Sequence, residues 1–391
     1  MSSYVPKYEA LVEFIKGSEL FLRTKYEECI ERFDRANEID PNYLLPLNLA
    51  AVAYSNRGQD VMAEQYVERM KQIPNLSQGE INFRDWWDAH LKGDNESTFR
   101  ITQKLEKISS GTVLSYQLAL EAIRTNRPQT AVEASGRLDP ESVHINDWVA
   151  YWGVLTQAYH MLGQYKQEFK EALQAQRQYP ESWSPLLYKT RALAAMGRVE
   201  KVADVIKESK AKPMTSYWNP ARLMTGAGVQ LKAHGYLKES NEMFEKALMW
   251  LRQKYEEDPP SDGMTYQLAA AFYHTLDFTG AAELLKDLHE RYPEDLDYLG
   301  FLGFVEAKRG NSNEAQRIFE KIEALDEPYL FGDDTAWLAF IAGALGEKDK
   351  AISLLRSALS QGLSYATLYQ NKFLEPLWDY PAFIELIKPK N

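Results

Sequence analysis

Residues 149–182 read VAYWGVLTQAYHMLGQYKQEFKEALQAQRQYPES, and the spacing of large and small residues in this stretch decides the fold. Counted from residue 149, positions 4, 7, 8, 11, 15, 17, 24, 27 and 32 hold Trp152, Leu155, Thr156, Tyr159, Gly163, Tyr165, Ala172, Ala175 and Pro180. Residues 10–43 repeat the register at positions 8, 11, 17, 20, 24, 27 and 32 with Gly17, Leu20, Tyr26, Cys29, Phe33, Ala36 and Pro41. The two segments predict a helix-pair unit that recurs about every 34 residues.

Each position of the unit has a physical role. Large residues at positions 4, 7 and 11 share one face of a first helix, small residues at 8 and 20 let a second helix approach, and residues 24 and 27 fill the groove between the two helices. Glycine tolerates the positive φ at the end of a helix, and near position 15 the chain has Gly58, Gly93, Gly163, Gly197, Gly235, Gly310 and Gly346. Proline cannot continue a helix, and the units close on Pro41, Pro74, Pro140, Pro180 and Pro293.

These positions match the pattern W-x2-L-G-x2-Y, then A-x3-F, then P, so the chain resembles the tetratricopeptide repeat (TPR) family. The resemblance implies an all-α fold, a right-handed superhelical solenoid of about ten TPR-like helix pairs that ends in a C-terminal capping helix. In this register the units start near residues 10, 44, 79, 112, 149, 183, 221, 262, 296 and 332.

The register also predicts the organisation of the chain. Residues 1–9 are a lead-in, residues 10–260 hold the first seven units, residues 261–364 hold the last three, and residues 365–391 form the capping segment. The units that start at 79 and 112 are degenerate because they lack the hallmark tyrosine. The unit from 221 has a longer second helix, predicted over 237–257. The loop 258–263 is the first candidate for a hinge, and the proline-containing stretch 212–220 is the second.

The two ends carry a narrower resemblance. YEECI at 26–30 with FDRANEIDP at 33–41, and FLEPLWDYPAFIELI at 373–387, are similar to the ends of the C-terminal TPR regions of bacterial signalling proteins, namely winged-helix regulators, Ser/Thr kinases and nucleotide cyclases. The residues before Ala10 are too few for an effector domain. The resemblance therefore implies either a separated sensory half or a free-standing relative.

Composition excludes several classes of function. The net charge of the 391 residues is −11, and no basic run exceeds two residues, which argues against nucleic acid as a direct partner. No apolar run is long enough to cross a bilayer, and the first residues lack the pattern of a secretion signal. We expect a soluble, cytoplasmic protein with no membrane partner. The single cysteine, Cys29, stands where the unit needs a small buried residue and is expected to pack there.

No motif of known chemistry is present. The chain has no phosphate loop, no dinucleotide fingerprint and no His-Glu-x-x-His, and its six histidines make no pair with metal-ligand spacing. We expect no catalytic residues, no cofactor and no metal, and therefore no enzyme.

Binding in such an array is expected on the concave face, which the first helix of each unit builds. Positions 2, 5, 9, 12 and 13 point into this groove once positions 4, 7, 8 and 11 are committed to packing. The predicted groove residues are Asn48, Gln157, Arg191, Arg222, Lys232, Tyr266, Tyr273 and His274, with Asn56, His160, Phe304, Lys308 and Phe340 on the same positions. The central part of the groove is basic and then aromatic. It would suit an extended peptide that carries acidic side chains or a C-terminal carboxylate.

Two functions remain open from the sequence. The leading hypothesis is a non-enzymatic scaffold that binds a protein or peptide partner in the concave groove. The alternative is a ligand-sensing regulatory module that relays a change of superhelical curvature to an effector. Solvated groove residues without any ligand, and binding on the convex side or an edge, also stay open, as does the oligomeric state. The lysine and asparagine clamp for chaperone tails is not expected, because positions 5 and 9 of the first two units hold Phe14, Ser18, Asn48 and Val52.

Overall fold

The computed structural model describes residues 4–139, 148–257, 261–369 and 371–390. These residues form ten helix pairs followed by a tail of short helices, and they contain no strand. The first five pairs are α1 Tyr8–Leu22 with α2 Tyr26–Ile39, α3 Leu44–Ser55 with α4 Asp60–Lys71, α5 Gln78–Leu91 with α6 Asn95–Ile108, α7 Val113–Arg124 with α8 Pro128–Ser135, and α9 Ala150–Met161 with α10 Tyr165–Gln178. The last five are α11 Ser184–Ala195 with α12 Val199–Ser209, α13 Pro220–Ala233 with α14 Leu237–Glu257, α15 Asp262–His274 with α16 Phe278–Arg291, α17 Leu296–Lys308 with α18 Ser312–Glu323, and α19 Asp333–Ala344 with α20 Lys348–Ser360.

The predicted all-α solenoid is confirmed, and its first helices begin within two residues of the predicted unit starts. The long second helix of the seventh pair spans Leu237–Glu257, as predicted. The first three residues of the predicted hinge, 258–260, lie outside the described residues, so the hinge stays a prediction. No helix among the described residues is both long and apolar enough to cross a membrane.

The requirement for a small residue at position 8 of the unit is visible in the packing. A Cβ added to Gly17 would lie 2.6 Å from a ring carbon of Phe33, which holds position 24 of the same unit. The seventh unit repeats the arrangement, because a Cβ on Gly228 would lie 2.4 Å from Phe244. In both pairs the aromatic ring of the second helix fills the space that the glycine leaves. Cys29 is fully buried in the first of these pairs, as the pattern predicts.

The array closes on itself, which the sequence pattern does not predict. The turn after α20 meets the turn between α5 and α6 so tightly that a Cβ on Gly93 would lie 1.8 Å from the backbone oxygen of Gln361. Beside this contact the Asn95 side chain donates a hydrogen bond of 2.8 Å to the Gly362 carbonyl oxygen. The last unit therefore packs against the third unit, although more than 260 residues separate them in sequence.

A second closing contact involves the loop between α18 and α19. The ring of Phe331 lies 5.4 Å from that of His90 on α5, and His90 in turn stacks on Trp86 at 4.9 Å. Tyr329 and Phe331 both have a positive φ, which is unusual for bulky residues. The backbone of this loop is thus held in a costly conformation where it meets the third helix pair.

Three short helices follow the array: η1 Tyr365–Leu368, η2 Lys372–Leu377 and α21 Pro381–Leu386. We call residues 365–390 the tail. Phe373, Leu374, Leu377 and Phe383 of the tail are buried in the same hydrophobic cluster as the last three helix pairs. A capping role was predicted for this segment. The structure adds that the tail also runs across the inner face of the array.

Candidate functional site

The candidate site is the inner face of the array, which the odd-numbered helices build and the tail crosses. Four of these helices contact the tail through side chains, and a fifth is followed by Asn126, which binds the end of the tail. On α13, α15, α17 and α19 the contacts join Lys232 with Glu375, Tyr266 with Lys372, Phe301 with Phe373, and Trp337 with Phe373. The tail therefore occupies much of the face that the sequence assigns to binding.

Phe373 inserts into a cage of four aromatic rings. Its ring centroid lies 4.9 Å from that of Phe301, 5.1 Å from Phe304, 4.7 Å from Trp337 and 5.5 Å from Phe340. These distances fall in the range of favourable aromatic pairs, each of which contributes about 0.5–1.5 kcal/mol beyond the burial of apolar area. The cage therefore holds an aromatic side chain of the tail on the inner face of the array.

One ion pair fixes the tail next to the cage. The Lys232 Nζ atom lies 2.7 Å from a carboxylate oxygen of Glu375, and each of the two side chains is 28% exposed. Lys232 was predicted to bind an acidic group in the groove. In this structure its acidic group belongs to the chain itself.

Several other predicted groove residues are used inside the solenoid. The Nε atom of Arg191 lies 2.5 Å from Glu168 on α10, and a second nitrogen of the same guanidinium group bonds Gln157. His160 lies 2.7 Å from the other Glu168 oxygen. Burial alone would raise the pKa of Glu168, but Arg191 and His160 outweigh it and hold the pKa below its usual value. Asn48 accepts a 2.9 Å hydrogen bond from the Trp87 indole.

Arg191 and Gln157 therefore differ from the sequence-based expectation of a free basic groove. The periodicity places both side chains on the inner face, but it does not show that Glu168 reaches them from the second helix of the fifth pair. Because Glu168 is fully buried, its charge needs these partners, and removing Arg191 would leave an uncompensated buried carboxylate.

The predicted aromatic and histidine residues of the eighth unit are also largely buried. Tyr273 lies 5.4 Å from Phe304 and is 4% exposed. The His274 ring stacks on Phe244 of α14 with 4.1 Å between centroids, and it is 9% exposed. Burial, together with the positive charges of Lys372 and Lys232, holds the pKa of His274 well below its usual value. Both rings are therefore mostly buried within the array, and their part in binding stays a prediction.

An open cavity of about 320 Å³ remains beside the tail. Its polar and aromatic lining comes from the stretch before α13, from α13, α15 and α17, and from the tail, and comprises Tyr217, Arg222, Thr225, Tyr266, Gln267, Asp295, Asp297, Tyr298 and Lys372. Two predicted groove residues, Arg222 and Tyr266, therefore meet in one cavity. Lys372 was not predicted, because the sequence assigns the tail to capping and gives no sign that its lysine turns back toward Arg222.

A second cavity of about 360 Å³ lies at the closing contact between the third unit and the tail. Glu96 in its lining is already paired, because it binds Lys390 at 2.9 Å and Arg127 at 3.0 Å. This cavity belongs to the closure of the array. Among the described residues no group of three or more His, Cys, Asp or Glu side chains could hold a metal ion.

The chain has no match among known family models and none among curated proteins. Its fold is similar to a human IFIT1 dimer with PPP-AAAA, at 16% identity, 93% coverage of this chain, 80% of that chain and a TM-score of 0.34. It is also similar to a Rap protein complexed with Competence and Sporulation Factor, at 12% identity, 91% coverage of this chain, 98% of that chain and a TM-score of 0.41. These likenesses are too distant to assign a ligand to this chain.

Proposed function

We propose that this chain is a non-enzymatic scaffold that binds an extended segment of a partner protein or peptide in its concave groove. One observation carries the proposal: the inner face already holds a segment of the chain itself, the short helix η2 of the tail. The cage binds the aromatic side chain of Phe373, and Lys232 binds the carboxylate of Glu375, two residues further along the tail. A partner with the same order of an aromatic and an acidic residue fits this surface.

The tail then competes with the partner. Whatever enters the cage must displace Phe373, so the apparent affinity for a partner falls by the fraction of molecules in which the tail is lifted. We infer that partner binding and tail release are one equilibrium. The predicted acidic character of the partner agrees with the ion pair of Lys232, whereas Arg191 takes no part because Glu168 holds it.

A labelled synthetic peptide of residues 365–380 tests the proposal. We expect it to bind full-length Glu375→Lys more tightly than wild type, because the substitution sets a like charge against Lys232 and loosens the tail. Adding Lys232→Glu to that variant should restore an ion pair within the chain and reduce peptide binding again. Glu385→Lys is the matched control, since Glu385 lies on the tail but its side chain is 77% exposed and forms an ion pair with the similarly exposed Lys388 of the tail itself. Fluorescence anisotropy measures all four proteins.

Absence of peptide binding to a Glu375→Lys protein that keeps its helical circular dichroism would refute the groove as a peptide site. Equal binding to both Glu375→Lys and Glu385→Lys would show that the peptide binds elsewhere.

A second function is favoured by the open cavity. Arg222 and Lys372 both line this cavity, and the Nε atom of Arg222 has no hydrogen-bond partner among the described residues, which suits a small ligand. The alternative is therefore a ligand-sensing regulatory module of a bacterial signalling or transcription-control protein. For either function we propose action in the cytoplasm without catalysis, cofactor, nucleic acid or membrane.

A further inference from the structure

The cavity beside the tail is built from five parts of the chain that converge on one space. Tyr217 precedes α13, Arg222 lies in its first turn, Tyr266 and Gln267 lie on α15, and Asp297 lies on α17. Lys372 closes the space from the tail. A volume of about 320 Å³ is at the small end of the range for ligand sites, which is about 300–1,000 Å³. Its occupant is therefore a small molecule and not a protein segment.

Arg222 is held in place but keeps free donor capacity. Its guanidinium carbon lies 3.6 Å from the Tyr217 ring centroid and 4.9 Å from that of Trp218, and one terminal nitrogen donates to the Tyr217 hydroxyl. The Nε atom is buried and has no hydrogen-bond partner within the described part of the chain. No carboxylate in the described part of the chain forms an ion pair with Arg222. A buried donor without a partner is rare in proteins and points to a missing acceptor.

Lys372 supplies a second cation in the same cavity. Its ammonium group lies 4.6 Å from the Phe301 ring centroid, 4.8 Å from Phe373 and 5.7 Å from Tyr266. Within the described ranges it has neither a hydrogen bond nor an ion pair. Burial lowers the pKa of Lys372 to about 8; the Asp297 carboxylate acts against this shift, and the charge of Arg222 adds to it. Two cations that repel each other across an open space favour an anionic group between them.

The lining also contains hydrogen-bond acceptors, which require a donor or a positive charge on the ligand. The Oε1 atom of Gln267 is buried and unpaired among the described residues, while its Nε2 atom donates 2.6 Å to the Ser216 carbonyl oxygen and so fixes the orientation of the amide. Asp295 and Asp297 add two carboxylates, so the four charged groups of the lining sum to zero. A ligand that carries both a carboxylate and a cationic or N–H donor satisfies both sides. A dianionic phosphate would meet the two aspartates.

We propose that this cavity binds a small zwitterion of the amino-acid or dipeptide type. Arg222 and Lys372 hold its carboxylate, Gln267 and the aspartates take its ammonium or amide N–H groups, and the faces of Tyr266 and Tyr298 contact its side chain. This inference names the ligand class of the ligand-sensing alternative, and it does not depend on peptide binding in the groove.

Because Lys372 belongs to the tail, the site is complete only while the tail is seated in its cage. A ligand that binds the seated state alone must stabilise that state, and lifting the tail must weaken the ligand in return. A zwitterion in the cavity would therefore act against displacement of the tail by a partner.

Isothermal titration calorimetry of the full-length protein tests the site, with a panel of dipeptides that have free termini as the probe. The same dipeptides with an amidated C-terminus, and inorganic phosphate, form two further arms. We expect binding of at least one free dipeptide, with a loss of about tenfold to a hundredfold in Arg222→Gln and in Lys372→Gln, because each removes a charged hydrogen bond. Lys246→Gln is the matched control, since Lys246 is exposed on α14 away from the cavity.

Amide hydrogen exchange gives a second readout that a purely structural role of Lys372 would not produce. The bound dipeptide should slow exchange in residues 372–377 of the wild type and leave it unchanged in Arg222→Gln. The proposal is overturned if no free dipeptide binds the folded wild type. It is overturned equally if amidated dipeptides bind as well as free ones, if phosphate binds in their place, or if Lys246→Gln weakens binding as much as Lys372→Gln. None of these outcomes bears on peptide binding in the groove.

Discussion

Asn126 joins the fourth helix pair to the end of the tail, and replacing it is the most direct test of the closed form. The residue follows α7, is fully buried and has a φ of +63°. Its Nδ2 atom donates to the carbonyl oxygens of Lys388 at 2.8 Å and Ile387 at 3.2 Å. Its Oδ1 atom lies 2.8 Å from the hydroxyl of Tyr369, and its carbonyl oxygen accepts 2.8 Å from the Lys390 backbone N–H. Every one of these partners lies in the tail.

The cost of Asn126→Ala follows from two terms. The substitution removes two to three hydrogen bonds at about 1 kcal/mol each and leaves buried carbonyl groups without a donor. It also forces alanine into the left-handed region, which costs about 1–2 kcal/mol. We expect Asn126→Ala to lower the free energy of unfolding by about 4 kcal/mol. Asn126→Gly, which accepts the positive φ, should lose about 1 kcal/mol less.

Asn75 provides a matched control. It is exposed and has a φ of +55°, so Asn75→Ala should cost only the backbone term of about 1 kcal/mol. Urea denaturation measures the three variants, and amide exchange at residues 386–390 shows whether the tail end is released, since a repeat array can open locally before it unfolds. If Asn126→Ala costs no more than Asn75→Ala and exchange at 386–390 stays slow, the array is not held closed by Asn126 and the reasoning fails.

Three further predictions concern acid stability, packing and partner class. Burial, with a smaller effect of a nearby positive charge, lowers the pKa of His90 to about 3, so below pH 6.5 the unfolded chain binds a proton that the folded chain does not. His90 should therefore cost about 2 kcal/mol of stability between pH 7 and pH 5, and His90→Gln should reduce that loss in urea titrations at both pH values. Gly228→Ala should destabilise by about 1–3 kcal/mol because its Cβ would meet Phe244, whereas Gly226→Ala on the same helix has only Leu187 at 4.0 Å and should be neutral or stabilising by thermal melts. Because the net charge is −11, we expect the protein to cause no gel shift of single-stranded RNA at physiological salt. A salt-dependent shift would contradict the prediction that nucleic acid is not a direct partner.

The repeat pattern of the sequence predicts the array of helix pairs, but it does not predict the contact between the third and the last unit that closes the array. The pairings of Gly17 with Phe33 and of Gly228 with Phe244 are local, since each joins two helices of one unit. Periodicity therefore predicts them directly. The contact of Gly93 with Gln361 depends on small rotations between units that add up over eight helix pairs, and no residue pattern reports that sum.

The candidate site, too, could be predicted from the sequence only in part. Periodicity places Arg222 and Tyr266 on the inner face, and in the structure both line one cavity. It does not show that Glu168 takes Arg191, because that contact depends on the second helix of the pair. It also misses Lys372, because the hydrophobic pattern of the tail indicates only that the segment packs and not which surface it packs on. Residues that share a helix face are readable from sequence, whereas the distant segment that covers the face is not.

The position of Lys372 links the two proposed sites. Its ammonium group lies over Phe301 and Phe373 in the aromatic cage, and the same group lines the zwitterion cavity beside Arg222. A ligand at about ten times its Kd would make lifting of the tail harder by about 1.4 kcal/mol, which is tenfold in the population open to a partner. The same linkage requires that a partner in the cage weaken the ligand by an equal factor. The scaffold and the sensor hypotheses therefore need not describe different proteins, because one lysine on the tail couples them.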